Sequence, residues 1–217
     1  MNIATFIKDR YVAFSNRLTG LMKGVNSRGY WDARFRTNWV QQDGRLQTTL
    51  FAVAFALLDE KFEAATILDY GCGCGDSLPV LKMRYPEAGL YYYDFSEEAM
   101  KKAGRYYSDI AKPLVLPASG KFDLVYCSNV VEHIEDPTAF CKGLVALAGK
   151  YVVVQAPYNE RHPDGAPLSS ERPSDEHVRT ISEDFMKGLD GTASWEIRHN
   201  NDVHGWGGGQ IFFIGRV

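Results

Sequence analysis

From residue 66 to its last residue the chain alternates between short apolar runs and amphipathic segments, and that alternation leaves few folds open. Thr66–Tyr70 reads as a short buried strand, Ser77–Arg84 as a helix, Leu90–Tyr93 as a second strand and Glu97–Tyr106 as a second helix. A third strand is expected near Pro113–Leu116, short or irregular because Pro113 and Pro117 cannot donate to a ladder. Phe122–Cys127 is a fourth strand, Pro137–Ala148 a helix and Lys150–Gln155 a fifth strand. Strands alternating with helices predict a doubly wound α/β architecture, a mostly parallel sheet with right-handed crossovers. The end differs. Trp195–Arg198 and Gln210–Gly215 are strands joined by a Gly-rich, helix-free connection, which predicts an antiparallel hairpin at the sheet edge. The hairpin completes a sheet of about seven strands, with the last strand inserted beside the fifth.

Before the alternation begins, the pattern is helical. Ile3, Phe6, Ile7, Tyr11, Phe14, Leu18 and Leu21 recur at helical spacing, and the run stops near Gly24. A polar, aromatic stretch from Tyr30 to Trp39 follows, and Leu46–Leu58 reads as a largely buried helix. No repeat or linker interrupts the chain, so its 217 residues are expected to form one domain, with residues 1–60 as a helical cap and 64–217 as the core.

Composition narrows the function rather than the fold. With 24 basic and 27 acidic residues the formal charge is −3, unlike the basic footprint of a nucleic-acid binder. Cys72, Cys74, Cys127 and Cys141 form no CxxC pair and have no histidine cluster at zinc spacing beside them. The expectation is a reduced, cytoplasmic protein with free, mostly buried thiols. Met1–Arg10 lacks the apolar core of a signal peptide, and the longest apolar run, Leu50–Leu58, is far short of the roughly 20 residues that cross a bilayer. No integral membrane contact is expected, and nothing in the sequence fixes an oligomeric state.

Directly after the first strand stands Asp69-Tyr70-Gly71-Cys72-Gly73-Cys74-Gly75-Asp76-Ser77. Such glycines let a backbone turn sharply and approach a ligand that a Cβ would block. Asp94, which ends the second strand, follows the first of these glycines by 94 − 71 = 23 residues. That spacing brings a carboxylate to ribose hydroxyls in a doubly wound fold. A nicotinamide or flavin site would show G-x-G-x-x-G beside its pyrophosphate. Here the spacing is G-x-G-x-G, and an acid, Asp76, stands where a helix N-terminus would face that pyrophosphate.

Three ordered motifs now carry a resemblance. Ile67 to Gly75 resembles the first motif of the class I S-adenosylmethionine-dependent methyltransferases. Tyr93 to Met100 resembles their second motif, and Phe122 to Pro137 their fourth-strand motif. The branch most similar is that of ubiquinone-biosynthesis and small-molecule methyltransferases, and the likeness covers roughly residues 64–155. It implies S-adenosylmethionine as cofactor and S-adenosylhomocysteine as product. By the same resemblance, Asp69 and the loop Gly71-Cys72-Gly73-Cys74-Gly75 hold the methionine part and Asp94 the ribose hydroxyls. Phe95 and Ser96 then flank the adenosine, Asp109 and Ile110 sit near the adenine, and Ser128 and Asn129 reach the cofactor from the end of the fourth strand.

Ligands in such sheets bind beyond the carboxyl ends of the strands, so the loops Ser128–Asp136 and Ala156–Thr180 are the acceptor-side candidates. A hydroxyl acceptor needs a base to take its proton, and histidine suits that role. His133 and His177 lie on these loops and are the catalytic candidates, against the ordinary readings of a packed and a solvated histidine; His162 and His204 are weaker. Tyr30 and Arg34 belong to an aromatic segment that either packs in the core or folds over the cofactor, with Arg34 reaching its carboxylate. Glu132, Glu135 and Asp136 beside His133 suggest a metal site, but members of the family carry this acidic string without one, so none is expected. The expected function is methyl transfer to a small-molecule hydroxyl, on a saccharide or secondary metabolite. N- or C-methylation on the same fold, or a non-catalytic cofactor-binding module, are the alternatives.

Overall fold

In the computed structural model, residues 19, 20, 22, 24–39, 42–116, 118, 120–169, 171–173, 176–188, 194–200 and 209–217 are described. The helix expected from Ile3 to Leu21 lies outside them except at Thr19 and Gly20, and His204 lies outside them too.

Helix α1 (Arg28–Ala33) starts where the Ser27 side chain accepts from the Tyr30 N–H, and it runs on into a π turn over Arg34–Asn38. Helix α2 spans Gly44–Ala56. Then come β1 (Thr66–Tyr70), α3 (Leu78–Arg84), β2 (Gly89–Tyr93), α4 (Glu97–Tyr107) and β3 (Ala111–Pro113). These are followed by β4 (Phe122–Ser128), α5 (Pro137–Leu147), β5 (Ala148–Pro157), β6 (Ser194–Asn200) and β7 (Gln210–Arg216). Short 3₁₀ turns occupy Val131–His133 and Glu183–Gly188.

The strands form one seven-stranded sheet in the order β3-β2-β1-β4-β5-β7-β6. All pairings from β3 to β5 are parallel, and β7 runs antiparallel between β5 and β6. The expected C-terminal hairpin is therefore present at the sheet edge, with β7 inserted beside β5 as expected and β6 outermost. Ile211, Phe212, Phe213 and Ile214 are accordingly all fully buried.

Alternating side chains of the strands feed two cores. Ile67, Leu124, Val153 and Phe212 pack with Phe51 and Phe55 of α2, Leu78 and Leu81 of α3 and Ala103 of α4. Leu68, Val125, Val154 and Phe213 pack on the other face with Cys141 and Leu144 of α5. A sheet buried on both faces needs continuous apolar strands, which is why β4 and β5 show no polar alternation.

The third strand differs from its expected place. It lies at Ala111–Pro113 rather than 113–116, because buried Ala111 anchors it in the core while Val115 and Leu116 face solvent. Pro113 is tolerated there because β3 is an edge strand. All four cysteines are free and buried. Among the described residues no helix is long and apolar enough to cross a membrane.

Candidate active site

The order of strands reverses direction between β1 and β4, so a crevice opens at their carboxyl ends. The glycine loop leaves β1 into this crevice. The N–H groups of Gly71 and Cys72 both donate to the Tyr93 carbonyl at the end of β2, at 2.7 and 3.1 Å. Gly71, Gly73 and Gly75 all have left-handed backbones, with φ of 82°, 54° and 85°. They serve different neighbours. A Cβ on Gly71 would stand 2.5 Å from Val130 Cγ2 across the crevice, and one on Gly75 would meet the ring of Tyr107 at 2.9 Å on α4.

Asp94 receives the loop. Its Oδ2 accepts from the Gly73 N–H at 2.9 Å and its Oδ1 from the Ser96 N–H at 2.8 Å. Burial pushes its carboxyl up to about 6, against the pull of those two donors. Asp69 lies beneath the loop, where it accepts from the Ser77 hydroxyl and burial pushes it up to about 7. Asp76 accepts from Arg45 Nε at 2.8 Å and from the Tyr107 hydroxyl at 2.6 Å. It thus braces α2 against α4 rather than facing a ligand.

Between these walls lies a cavity of about 380 Å³. Gly71, Cys72, Gly73, Asp94 and Phe95 line one side, Ser128 and Asn129 another, and Trp31, Arg34, Phe35 and Trp39 cover it. Trp31 meets Phe35 at a centroid distance of 5.6 Å, and Phe35 meets Trp39 at 5.2 Å. The π turn after α1 brings Arg34 and Phe35 onto this wall, as such turns commonly do at functional sites. The aromatic segment packs as a small core with Cys74 and Ala99, and it also lines the cavity.

Glu132, His133, Glu176 and His177 line the same cavity. Glu176 ties the loop after β5 to the roof. Its Oε1 accepts from the Tyr30 hydroxyl at 2.6 Å and pairs with Arg34 Nη1 at 3.0 Å. Asn26 Nδ2 donates to the Glu176 carbonyl at 2.8 Å. His133 packs its ring against Trp31 at 5.0 Å and against His177 at 4.8 Å. Burial drives His133 down to about 3, and the neighbouring His177 adds to that fall. For His177 burial works in the same direction, but the Glu160 carboxylate, 2.6 Å from Nδ1, and nearby Glu132 outweigh it and hold the ring up at about 9. Burial pushes Glu132 up to about 7.

The structure thus brings Arg34, Gly71, Cys72, Gly73, Asp94, Phe95, Ser128, Asn129, His133 and His177 to one cavity. It does not bring the other expected residues there. Tyr30 sits behind Trp31, Asp69 and Gly75 lie under the loop, and Ser96 caps α4 through the Ala99 N–H. Asp109 is exposed past the end of α4, and Ile110 packs against the core below the sheet. Glu132, weighed only within the acidic string beside His133, and Glu160 and Glu176, signalled only by position on the loop after the fifth strand, are further site residues.

The family described as "Methyltransferase domain" matches residues 43–199. The chain belongs to this methyltransferase family. A ubiquinone biosynthesis O-methyltransferase from Caulobacter sp. (strain K31) is 31% identical over 106 residues, covering 42% of this chain and 41% of the relative. A second such enzyme, from Caulobacter vibrioides, is 30% identical over 97 residues, so the chain spans about two fifths of the length of the curated relatives it matches. Among solved structures, magnesium protoporphyrin IX methyltransferase from Synechocystis PCC 6803 superposes with a TM-score of 0.58 at 19% identity, covering 98% of this chain and 99% of that one. A SAM-dependent methyltransferase from Aquifex aeolicus gives 0.59 at 18% identity, covering 85% and 97%. These likenesses establish the class I methyltransferase fold.

S-adenosylmethionine is the cofactor of this methyltransferase family, and the residues present fit it. The left-handed Gly71 and Gly73 leave a cradle free of Cβ atoms on the cavity side, and the buried Asp94 carboxylate faces the same space.

Proposed function

We propose that this chain transfers the methyl group of S-adenosylmethionine to a hydroxyl of a small-molecule acceptor, a saccharide or secondary metabolite, in a reducing cytoplasmic setting. One observation carries the reading: the glycine cradle with Asp94 and the Glu132–His133–His177 cluster line the same roofed cavity. Bound S-adenosylmethionine supplies a reactive sulfonium methyl, so the protein's share is to align the acceptor, exclude water and dispose of its proton. The 71–73 backbone holds the methionine part, Asp94 the ribose hydroxyls, and Arg34 lies ready for the carboxylate once Glu176 yields it. Trp31, Phe35 and Trp39 keep water out. The acceptor hydroxyl meets the histidine cluster. The names of the curated relatives, both O-methyltransferases, support an oxygen acceptor. The aromatic lining suits both the C–H face of a sugar and a flat ring, so both belong in the acceptor panel.

A cofactor-consumption assay over pooled hydroxyl acceptors tests this, with the product read as the mass gain of one methylene. Transfer only to amines or carbon acids would refute the hydroxyl reading.

Replacing Asp94 by alanine is expected to weaken S-adenosylmethionine binding at least about tenfold, the scale of a lost hydrogen bond to a charged group. Wild-type affinity should also fall as pH drops through about 6, because the protonated Asp94 carboxyl gives up an acceptor oxygen. Calorimetry across that range checks both. An unchanged Asp94→Ala affinity removes Asp94 from the ribose.

A further inference from the structure

Glu132 is the least expected group in the cavity. It is 1% exposed, and neither carboxylate oxygen has a hydrogen-bond partner among the described residues. Burying a carboxylate with both oxygens unpartnered is costly, and native proteins do so where an ion or water completes the site. Its neighbours are two imidazoles. His133 Nε2 lies 4.0 Å from Glu132 Oε1, too far for a hydrogen bond. One carboxylate oxygen and one nitrogen from each ring all lie within 4.8 Å of one another. Ligands held about 2.1 Å from a shared ion stand roughly 3–3.5 Å apart, so the widest pair needs to draw in by roughly 1.3–1.8 Å.

The surroundings orient both rings for such a role. His133 Nδ1 lies 3.1 Å from the Glu176 carbonyl, which only accepts, so Nδ1 carries the proton and Nε2 keeps its lone pair. His177 Nδ1 donates to Glu160 Oε2 at 2.6 Å, which sets the orientation of its ring, and the ring gives up its second proton on binding an ion. A carboxylate or carbonyl behind each ring is the outer shell that metal-binding histidines carry. The two loops are also fixed to each other. Val178 N–H donates to the Glu132 carbonyl at 2.9 Å, and Arg179 donates to the carbonyls of Ile134 and Glu135. The acidic string around His133 was set aside as a metal site because members of the family carry it without one; the fold adds His177 and Glu160 to Glu132 and His133.

We propose that Glu132, His133 and His177 bind one divalent first-row cation, such as Zn²⁺ or Mn²⁺, at the acceptor end of the cavity. Two imidazoles and a carboxylate favour these ions over Ca²⁺ and Mg²⁺. The binding stands on this geometry alone, whereas the role of the cation rests on the methyl-transfer reading. All three ligands line the cavity, so the open coordination positions face the acceptor. The cation takes the acceptor oxygen and lowers the pKa of its hydroxyl, and the proton leaves to solvent water. The oxygen–methyl bond then forms as the methyl–sulfur bond breaks, and that bond's electron pair stays on sulfur.

The test uses the full chain stripped by chelator and titrated with Co²⁺, followed by its visible absorption, with Zn²⁺ as competitor. One saturable Co²⁺ site that Zn²⁺ displaces is expected. Glu132→Gln and His177→Ala should each weaken it at least about tenfold, and Glu160→Gln about 10–100-fold through the lost outer contact. S-adenosylmethionine affinity, measured on the same variants, should stay near that of the wild type and reports an intact fold. Absence of a Co²⁺ site, or one that survives in the Glu132→Gln, His177→Ala double variant, overturns the proposal. Failure of the wild type to bind S-adenosylmethionine would instead overturn the methyl-transfer reading and leave the cation site standing.

Discussion

Alanine in place of His177 is expected to lower methyl transfer by roughly 10²–10⁴-fold while S-adenosylmethionine affinity stays near normal. His177 lines the cavity, with its ring set by Glu160. Its removal takes away the group that handles the acceptor's charge, as a cation ligand or, above about pH 9 where the ring is neutral, as a proton acceptor. His133→Ala should behave differently. Its ring packs on Trp31 in the roof, so its loss should disturb cofactor binding along with turnover. Steady-state kinetics on the true acceptor, beside calorimetry on the cofactor, separates the two. If both variants keep full turnover, the acceptor does not react beside these histidines.

Gly71→Ala is expected to cost at least about thirtyfold in cofactor affinity, close to 2 kcal/mol. Two penalties combine at this position. A residue with a Cβ held in the left-handed region costs about 1–2 kcal/mol. The new methyl would also stand 2.5 Å from Val130 Cγ2, so the loop or the Ser128–Val130 wall must move. That movement would disturb the backbone N–H pair of Gly71 and Cys72 on the Tyr93 carbonyl, which sets the shape of the cradle. Gly143→Ala is the control. Gly143 lies on an exposed face of α5 with nothing within 4 Å of an added Cβ, so this change should leave binding alone. It should raise stability by roughly 0.5–1 kcal/mol through helix propensity. A Gly71→Ala chain that binds as tightly as Gly143→Ala would show that the loop does not cradle the cofactor.

The order of strands and helices, the glycine loop after β1 and Asp94 at the end of β2 were all legible in the sequence, because each is a local pattern. A buried parallel strand needs an apolar run, a left-handed turn needs glycine, and the length of one β-α-β unit sets the spacing from the loop to the acid. The helix-free link before β7 dictated the antiparallel hairpin in the same local way. The extent of β3 was not local. A strand shortened by two prolines was expected near 113–116, but it lies where Ala111 finds a buried place beside β2. Within the motifs, the sequence could not separate residues that face the ligand from those that support them. Asp69 and Ser96 share the pattern of their neighbours yet bond to Ser77 and Ala99, and Gly75 backs onto Tyr107, because a strand end or a helix cap turns each position away from the crevice. Only the tertiary structure assembled the acceptor end. His177 meets Glu160 from 17 residues away, His133 meets the Glu176 carbonyl from 43, and Tyr30 meets the Glu176 carboxylate from 146. No periodicity encodes such separations; they are set by how the loops after β4 and β5 pack on each other and on α1.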